Sequence, residues 1–294
     1  MKVHDDLVTA FHRLHASGCF VMPNPWDAGS ARALEQLGFK ALATTSAGFA
    51  WTLGRADSRA TTLDEVLEHL RVVAAAVKLP VNADLEGGFA VDPQQVAEHV
   101  TLAAATGIAG LSIEDASGDA ADPLYEFDLA VERIRAARRA IDRSGTGVLL
   151  TGRSEGFVVG LPDLDETVRR LSAYAEAGAD CLYAPRIDTV AQVEAIVAAV
   201  SPAPVNLLIN APFMTVAQAA DLGVRRISVG GTLARTAWAG FLRAAEEIAG
   251  TGTFSAFEKL PDGGPRRARI GLARAVGGRI HRAYPMLGRP TARG

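Results

Sequence analysis

Residues 80–115 read PVNADLEGGFAVDPQQVAEHVTLAAATGIAGLSIED. The stretch opens on a short apolar run, 80–84, that closes on Asp84. After a glycine-containing loop, Asp92-Pro93 supplies an N-cap carboxylate and a first-turn proline, whose missing N–H costs a helix nothing there. Helical spacing continues to Thr106-Gly107, where glycine allows the left-handed cap that ends a helix before a tight loop. A second apolar run, 109–114, follows at once and leads into Asp115. Strand, helix and strand joined this closely form a parallel βα unit, because a crossover helix brings the second strand alongside the first in the same direction.

The same punctuation recurs on either side. Leu37-Gly38, Ala177-Gly178 and Leu222-Gly223 end three more helices, and Thr62…Glu65, Asp163…Glu166 and Thr189…Gln192 fit capping boxes. Strands are predicted at 19–23, 41–46, 80–84, 109–114, 147–152, 180–184, 204–209 and 226–230. Runs such as Val148-Leu149-Leu150 suit parallel strands covered on both faces. Eight such units in about 250 residues predict an α/β fold, a (β/α)8 TIM barrel. The barrel forms a catalytic domain over 1–250, with an extra N-terminal helix at 5–17, and 251–294 forms a C-terminal helical extension. An open doubly wound sheet would carry a glycine-rich fingerprint after its first strand, which Pro23-Asn24-Pro25-Trp26 is not.

The chain has 294 residues, 49% hydrophobic and 21% charged, ample for a large core. No apolar run reaches the ~18 residues of a membrane span. The polar start, Met1-Lys2-Val3-His4-Asp5-Asp6, does not read as a secretion signal. Cys19 and Cys181 give neither a disulfide framework nor a zinc spacing, which points to a reducing cytoplasm. Residues 265–294 hold eight arginines and no acid; with these set aside from the net −3, residues 1–264 carry −11. An acidic body argues against nucleic acid as the ligand. The Arg-rich end reads as a partly disordered tail or as a segment packing on a neighbouring subunit.

In this fold the chemistry sits at the C-terminal ends of the strands. No lysine lies there, since Lys40 and Lys78 precede strands, and this removes Schiff-base chemistry. His12, His15, His69 and His99 fall on helices, which removes Ser-His-Asp catalysis and histidine-bound zinc. Cys19 and Cys181 fall at strand starts, as small buried hydrophobes do. Carboxylates and arginines remain: Asp84 and Glu86 near Asn82, Glu114 and Asp115, Arg153 and Glu155, Arg186 and Asp188. Asp84, Glu86 and Glu114 lie on adjacent units and repel unless a cation compensates them. Oxygen donors select a hard ion, Mg2+ or Mn2+. The alternative is helix capping and neutralisation by Arg153 or Arg55. Arg186 and Asp188 are expected to pair or to cap the next helix, and Trp26 and Trp51 to pack under loops. Gly230-Gly231-Thr232 reads either as a phosphate site or as a plain helix start.

At these residues the sequence resembles the isocitrate lyase/phosphoenolpyruvate mutase superfamily, over residues 19–250. The resemblance is carried by Asn24-Pro25-Trp26-Asp27-Ala28-Gly29-Ser30-Ala31-Arg32, by Thr45-Ser46-Ala47 with Leu53-Gly54-Arg55-Ala56-Asp57, by Asn82-Ala83-Asp84-Leu85-Glu86-Gly87-Gly88-Phe89, by Ile113-Glu114-Asp115 and by Gly152-Arg153-Ser154-Glu155-Gly156-Phe157. It implies a (β/α)8 barrel, a Mg2+ site, 2-oxo or 2-hydroxy acid substrates cleaved at a C–C or P–C bond, and homo-oligomers, dimers or tetramers, that exchange a helix. By position, Thr45, Ser46 and Ala47 match a substrate-cradling loop, and Gly152 and Asn210 join them as substrate contacts. Asp57 matches an aspartate near the substrate, Asp84 and Glu114 the acids around the metal, and Arg153 the arginine that grips the substrate.

Two departures stand out. Asn82-Ala83-Asp84 replaces the family's Asp-x-Asp, so Glu86 is expected to supplement Asn82 at the metal. The lyase loop of Lys-x-Cys-Gly-His type is absent, since residues 115–127 contain no Cys, His or Lys. That argues against isocitrate or methylisocitrate lyase activity in the strict sense, and the missing lysine-bearing lid argues against phosphoryl transfer. Tyr125 in this lid is either an acid or a packed ring.

The reading is a Mg2+-dependent lyase that cleaves a C–C bond of a small 2-oxo or 2-hydroxy di- or tricarboxylic acid through a metal-stabilised enolate. It is oxaloacetate decarboxylase-like or methylisocitrate lyase-like, with Asp57, Arg153 and Glu114 catalytic. A phosphonopyruvate-type P–C hydrolase or mutase and a non-catalytic carboxylate-binding barrel are the alternatives. The expected partner is the carboxylic acid itself, with no nucleic acid and no membrane.

Overall fold

The computed structural model describes residues 2–57 and 60–259 of the chain. Eight strands alternate with helices: β1 (Phe20–Val21), β2 (Leu42–Ala43), β3 (Val81–Asp84), β4 (Gly110–Glu114), β5 (Leu149–Arg153), β6 (Cys181–Tyr183), β7 (Val205–Leu208) and β8 (Arg226–Ser228). The helices are α1 (Lys2–Ala16), α2 (Ala28–Gln36), α3 (Ser46–Thr52), α4 (Leu63–Ala76), α5 (Pro93–Ala104), α6 (Phe127–Ser144), α7 (Leu164–Glu176), α8 (Val190–Val200), α9 (Val216–Asp221) and α10 (Thr232–Thr251), and a 3-10 turn follows at Ser255–Lys259. The strands form one parallel sheet in the order β1-β8-β7-β6-β5-β4-β3-β2. The curl closes between β1 and β2, where Ala43 N–H donates to the Pro23 carbonyl at 3.1 Å. The Asn24 side-chain amide donates to the Thr44 carbonyl at 2.8 Å beside it. The result is a TIM-barrel-like α/β fold with the extra N-terminal helix in place.

All eight predicted strands appear, each shorter than its apolar run. The local stop signals act where they were read, and Gly38, Gly107, Gly178 and Gly223 all take positive φ. Thr62–Glu65 and Thr189–Gln192 close as reciprocal capping boxes. Asp163 differs, accepting only the Glu166 N–H. Of the predicted C-terminal extension, residues 260–294, with all eight arginines, lie outside the described residues.

Alternation along the strands sorts the side chains. Ala83, Leu111, Ile113, Leu150, Leu182, Leu207 and Ile227 point outward and are buried under the helices. The inward positions are largely polar: Asn82, Ser112, Arg153, Asn206, Arg226 and Ser228 face the barrel interior. Burying Arg226 this deeply requires hydrogen-bond partners. Its guanidinium donates to Asn206 Oδ1 at 2.8 Å and Thr151 Oγ1 at 3.1 Å, and meets His15 Nε2 at 3.3 Å.

α1 closes the barrel floor. His4 and His12 each donate through Nε2, to the Ile108 and Gly147 carbonyls at 2.8 Å. Phe11 is fully buried against Gly110, where an added Cβ would lie 2.5 Å from the ring. His15 donates through Nδ1 to the Phe11 carbonyl at 2.8 Å, which leaves Nε2 as the acceptor for Arg226. Burial first, and the Arg226 charge second, push His15 down to about 3. A histidine in the unfolded chain titrates near ~6.5. The unfolded state therefore binds a proton that the native state refuses, and stability falls as pH drops below that value. At pH 5 this one group costs about 2 kcal/mol. His69, stacked on Phe49 and pushed down to about 4 mainly by burial, acts in the same direction. His15→Gln is expected to lose its share of this pH dependence. Urea unfolding at pH 7.5 and pH 5 measures it, and an unchanged difference between the two pH values refutes the assignment.

Candidate active site

Strand register assembles the barrel mouth. Glu114 on β4 lies opposite Arg153 on β5, and Arg153 opposite Tyr183 on β6. Arg153 Nη1 stands 3.2 Å from Glu114 Oε2 and 3.3 Å from Asp84 Oδ1, and its Nε donates to Glu155 Oε1. The Tyr183 ring lies beneath the guanidinium, 5.2 Å from centroid to carbon. One cation is thus shared by three carboxylates in a partly closed space.

The electrostatics follow from that crowding. Burial is the largest influence on Glu114 and pushes it well above the usual carboxylate range; Arg153 opposes this, and Glu155, Asp84 and Glu86 add to it. Glu155 is likewise raised by burial, with Arg153 drawing it back. Burial disfavours the Arg153 cation, yet Glu114, Glu155 and Asp84 outweigh it and hold the guanidinium charged. Burial also pushes the Tyr183 hydroxyl up to about 12, so it keeps its proton.

Local structure fixes each acid. Asp84 N–H donates to Thr44 Oγ1 at 2.9 Å, and Asp84 Oδ2 accepts from Ser46 N–H at 3.1 Å. Ser46 opens α3, and Thr45 caps it by accepting from Gly48 N–H. Glu86 sits at φ 48, in a loop that Arg133 holds by donating to the Gly87, Ala90 and Val91 carbonyls. Asp115 supports Glu155 from behind. Its Oδ1 accepts from Glu155 N–H at 2.7 Å, and its Oδ2 accepts from Tyr174 O–H at 2.6 Å and from Arg170 at 3.2 Å.

A cavity of about 280 Å3 opens above this cluster. It is lined by Thr45, Ser46, Ala47, Asp57, Asn82, Asp84, Arg153 and Asn210, which the sequence had nominated from four separate strand ends. Three nominated residues are placed differently. Glu114 meets the site through Arg153 and Glu86 through its charge, and neither lines the cavity. Gly152 faces α7, where an added Cβ would lie 2.9 Å from Tyr174 Cβ, so its lack of a side chain serves helix packing. The expected metal acids Asp84 and Glu114 converge on Arg153, because register sets that guanidinium between them.

Other readings are corrected or decided as well. Trp51 lines the cavity. Among the described residues Arg186 and Asp188 form no ion pair, and the Thr189 side chain caps α8. The amides of Val229 and Gly230 are taken by Asn24 Oδ1, at 2.9 and 3.0 Å, and that of Thr232 by the Val229 carbonyl at 3.2 Å, which favours the plain helix start over a phosphate site. Tyr125 is buried with its ring 4.1 Å from the Arg133 guanidinium, away from the cavity. Tyr183 and the supporting role of Asp115 escaped sequence reading. Alternation runs along one strand, so it could not relate Tyr183 on β6 to Arg153 on β5; inter-strand register does that.

Among the described residues, no three of His, Cys, Asp and Glu are arranged to enclose a metal ion by themselves. The donor chemistry nonetheless fits a hard dication. Asp84, Glu86, Glu114 and Glu155 act on one another around a single guanidinium, leaving surplus negative charge, and buried Asn82 Oδ1 accepts no hydrogen bond. Mg2+ is commonly held by one or two carboxylates, with water and substrate supplying the rest.

Comparison with known proteins extends this picture. The family model described as phosphoenolpyruvate phosphomutase matches residues 11–249. A crystal structure from Burkholderia cenocepacia, provisionally assigned as a lyase/mutase, superposes with TM-score 0.86 at 46% identity, covering 91% of this chain and 96% of that one. The oxaloacetate decarboxylase of Rhodopseudomonas palustris is 30% identical over 270 residues, 89% of this chain and 87% of its own. The structure of oxaloacetate acetylhydrolase with its product oxalate superposes with TM-score 0.81 at 27% identity, over 91% of this chain and 95% of that one.

Proposed function

The chain belongs to the phosphoenolpyruvate phosphomutase family, and we propose that within it the protein is a Mg2+-dependent lyase cleaving a C–C bond of a small 2-oxo or 2-hydroxy di- or tricarboxylic acid. The observation that carries this reading is the buried Arg153, surrounded by Asp84, Glu114 and Glu155 at the mouth of a cavity lined by Thr45, Ser46 and Ala47. The activities of the decarboxylase and acetylhydrolase relatives, both named for oxaloacetate, support it.

Arg153 offers a guanidinium fork to the substrate carboxylate and to the negative charge that develops as the bond breaks. The Ala47 amide, beside the Ser46 N–H that Asp84 already holds, orients the same end of the molecule. Asp57, on the cavity wall, takes the proton of a 2-hydroxyl where the substrate has one. Asp84, Glu86 and Glu114 would hold Mg2+ or Mn2+, with Asn82 beside them. When bound, the ion supplies Lewis-acid polarisation of the 2-oxo group.

The catalytic barrel is assigned to residues 1–250 and a separate extension to 251–294. No described helix is long and apolar enough to cross a membrane, and Cys19 and Cys181 are unpaired, which supports a cytoplasmic enzyme. α10 supports exchange of a helix in a dimer or tetramer. Only Ala234 on it is fully buried, while Trp238, Phe241, Leu242 and Ile248 are exposed.

The test is turnover of oxaloacetate, 2-methylisocitrate and phosphonopyruvate with Mg2+ and with EDTA. EDTA-sensitive release of a 2-oxo acid from a C–C substrate is the expected result. Phosphate released from phosphonopyruvate alone would favour P–C chemistry, and tight binding without any turnover would leave a carboxylate-binding barrel.

A further inference from the structure

Arg153 is not a free cation, because three carboxylates already share it. One substrate carboxylate can compete for it. A second carboxylate, however, would enter an acid-rich mouth with no counter-charge unless another guanidinium were at hand. Arg186 meets that need. It follows β6, lines the same cavity as Arg153 and Asp57, and its side chain is exposed. Among the described residues it has no ion-pair or hydrogen-bond partner.

Its backbone is informative as well. Arg186 sits at φ 64, the left-handed region that favours glycine. Such strain persists where the surroundings impose it, and it is concentrated at ligand-binding positions. The neighbouring cation on the rim, Arg235, is differently placed. It projects from exposed α10 and is held at 3.5 Å to Thr232 Oγ1.

We infer that Arg186 reads the second carboxylate of a dicarboxylic ligand, which makes the protein selective for diacids over monoacids of the same 2-hydroxy or 2-oxo end. This rests on the carboxylate-binding reading given above. An exposed charge-assisted hydrogen bond is worth about tenfold in affinity.

Lactate and malate form a suitable pair of probes, since malate carries a carboxylate where lactate has only hydrogen on its methyl carbon. Both are titrated calorimetrically into the Mg2+-loaded protein. The wild type is expected to prefer malate by about tenfold or more. Arg186→Gln is expected to abolish that preference and leave lactate affinity unchanged, and Arg186→Lys to retain part of it. Lactate binding with no malate preference in the wild type overturns the role of Arg186 and leaves the carboxylate site standing. An undiminished preference in Arg186→Gln, or its collapse in Arg235→Gln instead, also overturns it. Failure of both ligands to bind the wild type overturns the carboxylate site and this inference with it.

Discussion

Arg153→Ala is expected to reduce turnover by at least about a thousandfold, the loss typical when a charge-stabilising donor at the reacting centre is removed. The same variant should lose about 3–5 kcal/mol of stability, because removing one partner of a buried ion pair leaves the others uncompensated. Asp84, Glu114 and Glu155 would then face each other with no guanidinium between them. Arg153→Lys separates the two effects. It restores a positive charge and hence much of the stability, but not the planar fork that matches a carboxylate, so activity should stay low. Turnover of the best substrate and urea unfolding of both variants check this. Activity within tenfold of wild type in Arg153→Ala would exclude this residue from the reaction.

Arg133→Ala is expected to destabilise the protein by about 4 kcal/mol or more, without removing any group from the cavity wall. Arg133 is 1% exposed, and its guanidinium serves the carbonyls of Gly87, Ala90 and Val91 while lying against the Tyr125 ring. Alanine leaves those buried acceptors without a charged donor and opens a cavity beneath the lid. The loop it holds carries Glu86 and Phe89, both at positive φ, a conformation that needs outside support. Mg2+-dependent activity should therefore fall along with the urea midpoint, and Arg133→Lys should recover only part of each. A midpoint shift corresponding to less than about 1 kcal/mol would place this arginine among ordinary surface contacts.

Sequence reading reached the barrel because its signals are local. Asp92-Pro93, Thr62…Glu65 and the glycines that close four helices act within a few residues of themselves, and the structure places them where they were read. It reached the cavity wall for a related reason: in a parallel barrel the strand ends all face one way. Thr45, Asp57, Asn82 and Asn210 thus meet although they are far apart in the chain. It failed where the outcome depends on facing and register. Gly152 and Arg153 are adjacent in sequence, yet one faces α7 and the other the mouth. Asp115 follows Glu114 directly, yet supports Glu155 from behind through Tyr174 and Arg170.

The placing of lysine and histidine away from the strand ends, the alternating βα units and the acid-and-arginine chemistry of those ends were properties of the chain alone. Composition and short-range caps need no partner to take effect. Which acids share Arg153, which histidine meets Arg226, and which rim arginine has no partner among the described residues were decided only by the folded barrel. Each depends on inter-strand register and on α1 sealing the floor, and both join residues dozens to hundreds of positions apart.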